Sequence, residues 1–381
     1  MNSLPQSLRT FGICVLFCLS IGLGVLTAEQ RIARGAEAEP SIKSVKDLGP
    51  QFVGKNSAIT GADGATSTAL PTGESIWLFG DTVEQPFESI RTLDLTGLRS
   101  STAALVPKQN ASQGITQYRF LTANDGKRPR QILPFAATDD PAHNRLWAIH
   151  GAAIGMNVYL FYHRITMIKG VDVFTDFKLD GMGIAKAELG KFNFTRLPAP
   201  DGTPLFWKPD QPTFGVFVTR AHDPADNHVY LWGCLMTGMF LARIEPEAIA
   251  DLGRYEYLVE APTLAQPERT PRWSETFAST APLFDSVPNE MSAAYNPHLR
   301  QFVAYHSMQR DNKIVLRTAK EITGPWSEPR VVFRPERKNA TDLIYAVKEH
   351  PELTAEAGRK TYITYVNSAT YVPHLVEITF Q

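Results

Sequence analysis

Two aspartates early in the chain stand where the backbone is free to bend: Asp63 in Gly61-Ala62-Asp63-Gly64, and Asp81 in Phe79-Gly80-Asp81-Thr82. Glycine permits tight turns and close approach of other groups, so both carboxyls can be presented at a shared site. The bland alternative for each is a turn aspartate bonding its own backbone. Paired carboxyl groups suit chemistry in which one gives a proton to a leaving oxygen while the other attacks or activates water, as glycosidic cleavage requires. Their environments must then push the two pKa values apart, and the apolar neighbours Trp77, Leu78 and Phe79 are suited to raising one of them. Which one is raised is not legible from the sequence.

Glu290 and Asp342 are further acids placed just before later apolar runs. A sugar ring also wants flat faces for its C–H surface and a few fixed donors. Trp147, Trp207 and Trp273 are candidates for the faces, and Arg99, His150 and Asn289 for the donors. Trp326, in Gly324-Pro325-Trp326-Ser327, reads instead as a packing residue. The nine histidines, among them His298, His306 and His350, show no metal-ligand spacing, and there is no phosphate-binding glycine loop or nucleophile elbow. No metal and no cofactor is expected. Cys234, between Leu231-Trp232 and Leu235, reads as a buried core thiol rather than a nucleophile.

The elements that must position these residues repeat. Ile76-Trp77-Leu78-Phe79, Val158-Tyr159-Leu160-Phe161-Tyr162, Val229-Tyr230-Leu231-Trp232, Gln301-Phe302-Val303-Ala304-Tyr305 and Thr361-Tyr362-Ile363-Thr364-Tyr365 begin 82, 71, 72 and 60 residues apart. Each follows a turn signal, such as Thr72-Gly73 or Asp226-Asn227, that joins it to an earlier strand. Those earlier strands are expected at 65–70, 146–153, 214–219, 291–295 and 343–347, and third strands at 101–106, 183–187, 239–244, 313–318 and 375–380. Fourth strands are expected at 117–121 and 330–333.

Antiparallel meanders recurring at about 70 residues are the pattern of propeller blades, which bury their faces only by stacking on each other. The expected fold is all-β, a five-bladed β-propeller over 51–381; a β-sandwich is the alternative, but it requires no even spacing. The last blade ends with the chain, so its outer strand is expected from the N-terminal segment near Phe52 and Val53. In a propeller the starts of the inner strands meet at one mouth, which would bring Asp63, Glu290 and Asp342 together.

With 38 Lys and Arg against 39 Asp and Glu, and no run of either sign, the chain has no footprint for nucleic acid or a membrane surface. Arg9, the apolar run from Phe11 to Leu26, and Thr27-Ala28 read as an export signal over 1–28, followed by a linker over 29–50. A retained signal anchor is the other reading. Cys14 and Cys18 would leave with a cleaved signal, leaving no pair for a disulfide. A secreted or periplasmic location follows, with no membrane attachment after cleavage.

Several of these stretches together resemble a known family. Asp63-Gly64, Trp77-Leu78-Phe79-Gly80-Asp81-Thr82, Glu290-Met291-Ser292-Ala293-Ala294-Tyr295-Asn296-Pro297, Arg317-Thr318-Ala319 and Gly324-Pro325-Trp326-Ser327 resemble the bacterial domain of unknown function 4185 family from about Asn56 onward. The resemblance implies a secreted five-bladed propeller and, from some members, endo-D-arabinanase activity on cell-wall arabinan. It places the family's two first-blade aspartates on Asp63 and Asp81. Arg99-Ser100-Ser101 departs from the Asn-Ser pair expected there, which bears on which sugar fits. The expected activity is that of an endo-acting glycoside hydrolase on a furanose-containing polysaccharide or oligosaccharide, with Asp63, Asp81 and Glu290 as catalytic candidates. A non-catalytic carbohydrate-binding propeller and an adhesion module are the alternatives.

Overall fold

A computed structural model describes residues 39–381 apart from 55–56, 89, 91–97, 169–175, 236, 278–281, 285–289 and 309–310. The expected export signal lies outside the described residues. None of the described helices is long and apolar enough to cross a membrane.

The first strand, β1 (Ile42–Pro50), belongs to the last blade. Blade one is β2 (Gly61–Ala69), β3 (Ser75–Val83), β4 (Leu98–Val106) and β5 (Arg119–Phe120). Blade two is β6 (Asn144–Ile154), β7 (Asn157–Met167), β8 (Phe177–Glu188) and β9 (Thr195–Arg196). Blade three holds five strands, β10 (Phe217–Arg220), β11 (Val229–Leu235), β12 (Gly238–Ile244), β13 (Glu256–Glu260) and β14 (Arg272–Ser274). Blade four is β15 (Met291–Asn296), β16 (Gln301–Met308), β17 (Lys313–Ala319) and β18 (Arg330–Phe333). Blade five is β19 (Ile344–Glu349), β20 (Lys360–Asn367) and β21 (Val372–Phe380), completed by β1. The molecule is therefore an all-β, five-bladed propeller, and all five repeated runs are second strands, as their spacing implies.

Each strand's composition fits its rank in the blade. The second strands are covered on both faces, and β3 is buried at all nine positions, consistent with its apolar composition. β1 is an outer edge, with Lys43 and Lys46 exposed, and edge lysines discourage pairing with another chain.

Contacts between blades close the ring. Ser100 Oγ donates to Leu146 O at 2.8 Å between blades one and two, and the His150 ring packs on Phe217 at 4.5 Å between blades two and three. Trp232 meets Trp326 at 5.5 Å, the Glu349 N–H donates to Ser292 Oγ at 2.8 Å, and Trp77 stacks on His350 at 4.2 Å. These contacts join blades three to four, four to five and five to one. Trp326 thus packs between blades, as its surroundings in the sequence imply. Burying large apolar groups of this kind stabilises a fold by about 1.5–3 kcal/mol each.

Two expectations need correction. The N-terminal segment does supply the outer strand of the last blade, but through Ile42–Pro50, which pairs antiparallel with β21, so part of the expected 29–50 linker is a blade strand. Phe52, expected near that strand, is instead a buried plug with its ring 5.1 Å from Trp77 and 5.0 Å from Phe79. The physical reason is that β1 sets the half-buried Ile42, Val45 and Leu48 between exposed polar residues, as suits an outer edge, whereas Phe52 has a positive φ of 63° that breaks strand geometry.

Candidate active site

Both first-blade aspartates lie inside strands: Asp63 in β2 and Asp81 in β3, rather than in the turn after it. The pairing of β2 with β3 slips between Ala62 and Gly64 and again between Gly64 and Thr66. Gly64 and Ala65 have positive φ values of 80° and 52° there. Bulges of this kind re-aim side chains. The Asp63 carboxyl lies across Gly80, where an added Cβ would collide with Asp63 Oδ1, so a side chain at residue 80 would push the Asp63 carboxyl out of this position.

The Asp81 N–H donates to Asp63 Oδ1 at 3.0 Å, and the Tyr345 hydroxyl donates to Asp63 Oδ2 at 3.3 Å. Asp81 receives the Trp147 indole N–H on Oδ2 at 3.0 Å, while Arg145 Nε stands 3.9 Å from Oδ1. Tyr371, reaching in from blade five, donates to Asp81 O at 3.2 Å. The third acid, Glu290, pairs with Lys348, a fully buried lysine that also donates to Gly64 O at 2.9 Å. Asp63, Asp81 and Glu290 all line one axial cavity of about 200 Å³.

Burial pushes the Asp63 carboxyl up to about 8, and the negative charges of Asp81 and Glu290 push the same way. Asp81 is also raised by burial, but Arg145, the Trp147 N–H and Ser100 pull it back toward the charged form. His163, beside Trp147 in the β6–β7 register and on the cavity wall, is neutral because burial lowers it to about 4. The site can hold a proton on one carboxyl beside a second whose charge is supported. Among the described residues, no group of three or more His, Cys, Asp or Glu side chains is arranged to hold a metal ion.

Of the residues expected at the site, Asp63, Asp81, Glu290 and Trp147 are gathered there, and Asn289 lies outside the described residues. The others are employed elsewhere. Asp342 accepts the Lys338 and Asn339 N–H groups at 2.9 and 2.8 Å, the turn role that competes for any aspartate. Arg99 pairs with Glu84. The His150 imidazole is buried between blades two and three, bonded to Gly151 O at 2.9 Å, and lowered to about 3 by burial. Trp273 lies on the outermost strand of blade three beneath the Arg243 guanidinium, 4.3 Å from its ring centre, and Trp207 is buried in the core.

Tyr345, Tyr371 and Lys348 were not legible as site residues. The register of β19 slips between Tyr345 and Lys348, with Ala346 at a φ of 55°, so simple alternation misassigns which side chains face the axis. Tyr371 sits on a positive-φ turn residue before β21, with no local pattern to mark it.

Five four- or five-stranded blades around an axial cavity lined by carboxyl groups define a β-propeller with an acid-bearing axial site. The chain belongs to the family described as Domain of unknown function (DUF4185), whose model matches residues 49–377. No curated protein matches it in sequence. The structure is similar to that of a Bacteroides ovatus protein provisionally described as a hydrolase, at 14% identity and a TM-score of 0.59, covering 85% of this chain and 87% of that one. It is also similar to the GH43_1 enzyme from Xanthomonas citri solved with xylose, at 13% identity and a TM-score of 0.48, covering 93% and 92%. A third similar structure is exo-beta-1,3-galactanase from Phanerochaete chrysosporium with galactose, at 12% identity and a TM-score of 0.48, covering 87% and 64%. At these identities the likeness speaks to the fold.

Proposed function

We propose that this chain is an exported glycoside hydrolase that cuts within a furanose-containing polysaccharide such as arabinan. Asp63 is the proton donor and Asp81 is the base or nucleophile. The observation that carries the reading is the Asp63–Asp81 pair in one axial cavity, with the pKa of Asp63 pushed to about 8 and Asp81 supported by Arg145 and the Trp147 N–H.

At neutral pH Asp63 keeps its proton and gives it to the glycosidic oxygen as the bond to the anomeric carbon breaks. Asp81 either takes the proton of the water that attacks that carbon, with Asp63 reprotonated by exchange with solvent before the next turnover, or attacks the carbon itself; water then cleaves the glycosyl–Asp81 ester and its proton returns to Asp63. Glu290, held in place by Lys348, adds to burial and to the charge of Asp81 in keeping Asp63 protonated. The furanose preference and the endo mode rest on the family resemblance, and the bond type cut rests on the carboxyl pair.

The test is incubation with a panel of cell-wall glycans, sizing the products and counting new reducing ends, for the native chain and for Asp63→Asn and Asp81→Asn. Arabinan shortened to oligosaccharides by the native chain alone is the expected result. Binding without new ends, unchanged by either substitution, would assign the cavity to recognition rather than hydrolysis.

A further inference from the structure

The axial cavity has two chemically different ends. The carboxyl groups and tyrosines occupy one. The other is built by the end of blade two, where β7 and β8 pair Ile165 with Leu179 and Met167 with Phe177. Partners across antiparallel strands project to the same face, as do residues two apart on one strand. The four side chains therefore form one plate, and all four line the cavity. Ile165 and Met167 are buried, whereas Phe177 and Leu179 are partly open.

Trp147 joins the two ends. Its indole N–H is bonded to Asp81 Oδ2 at 3.0 Å, and its ring meets Phe177 edge-on at 5.2 Å. Only the breadth of one indole separates the Asp81 carboxylate from the plate. None of the four plate side chains offers a strong donor or acceptor. A sugar ring could lay only its C–H face there, and each hydroxyl turned toward these four side chains would be buried without a partner, costing roughly a factor of ten in affinity. An aliphatic group would instead gain roughly fourfold per methylene buried.

The geometry points to a substrate that carries an alkyl or acyl chain close to the bond that is cut, with the chain seated on Ile165, Met167, Phe177 and Leu179 while the sugar oxygens face Asp63 and Asp81. The position of the bond rests on the glycosidase reading above. The amphipathic character of the cavity does not.

Titration calorimetry of methyl, butyl and hexyl arabinofuranosides against the native chain and Asp81→Asn tests this. Affinity should rise roughly threefold to fivefold per added methylene, and in both proteins alike. Phe177→Asn and Leu179→Asn, at partly open positions and checked by thermal melting, should each flatten the series. A flat or undetectable series in the native chain overturns the proposal, as does a slope that survives both plate substitutions. A steep series with no hydrolysis of any glycan removes the glycosidase reading and leaves the alkyl-binding plate standing; hydrolysis of plain arabinan with a flat series does the reverse.

Discussion

The same inner strands carry two polar clusters along the axis, one open and one closed. At the open end, Asp63 of β2 and Tyr345 of β19 face the cavity. Deeper in, Ser67 of β2 and His350, just past β19, form a closed network. His350 accepts or donates to Ser67 Oγ and Thr364 Oγ1, each at 2.8 Å, with its ring against Trp77, and Ser67 Oγ donates to Glu352 Oε2 at 2.7 Å. Burial raises carboxyls in both places: Glu349, in the closed region, reaches about 8, as Asp63 does. A raised pKa therefore does not mark a site by itself. What separates the two ends is a cavity beside the acids and the crowding of three carboxyl groups around it.

If that distinction holds, the largest effect should follow substitution at the open end. Asp63→Asn or Asp81→Asn should each lower the rate of glycan cleavage by about a thousandfold or more while leaving the melting temperature near native. Equal loss of folding would erase the contrast with the closed end. Lys348→Met, which strips Glu290 of its buried partner, should destabilise the fold by about 3–5 kcal/mol in denaturant unfolding. Recovery of much of that loss in Lys348→Arg would show that charge, not shape, is the contribution.

The pH dependence sharpens the comparison further. A carboxyl raised in the folded state binds more protons there than when unfolded, so its contribution is complete below about pH 4 and is lost as pH rises through about 8. Asp63 and Glu349 both act in this direction. Stability should accordingly fall between pH 4 and 8, and Asp63→Asn should reduce that slope while leaving the Glu349 share; an unchanged slope would show that Asp63 is not protonated in the fold. The smallest expected effect is that of Trp147→Phe, which keeps a ring against Phe177 but removes the N–H from Asp81. A loss of roughly tenfold in rate, about 1.4 kcal/mol, is expected, with the acidic limb of the pH profile moved upward.

The fold was legible because hairpin turns and apolar second strands recur at a nearly constant interval, a pattern that survives errors of a few residues at strand ends. Asp63 and Asp81 were legible because glycines flank them, and Glu290 because it precedes an inner strand. Asp342 occupies the equivalent place yet caps a turn, a choice made by the nearby Lys338 and Asn339 N–H groups. Lys348 and Tyr345 were hidden by a bulge that alternation cannot anticipate. The apolar plate was hidden for a different reason: nothing in the residue types of Ile165 and Met167 marks a site, and only the β7–β8 register brings them together with Leu179 and Phe177 on a cavity wall.

The pairing of β1 with β21 makes the two ends of the described chain into a zipper. A polypeptide trimmed to begin at residue 51 would retain every acid discussed above and still lose the strand that fastens the ring. The bared margin of β21, with its free amide and carbonyl groups, would be open to recruitment by a neighbouring molecule. The chemistry proposed near the axis would thus depend on a stretch of backbone at the rim that contributes no side chain to it.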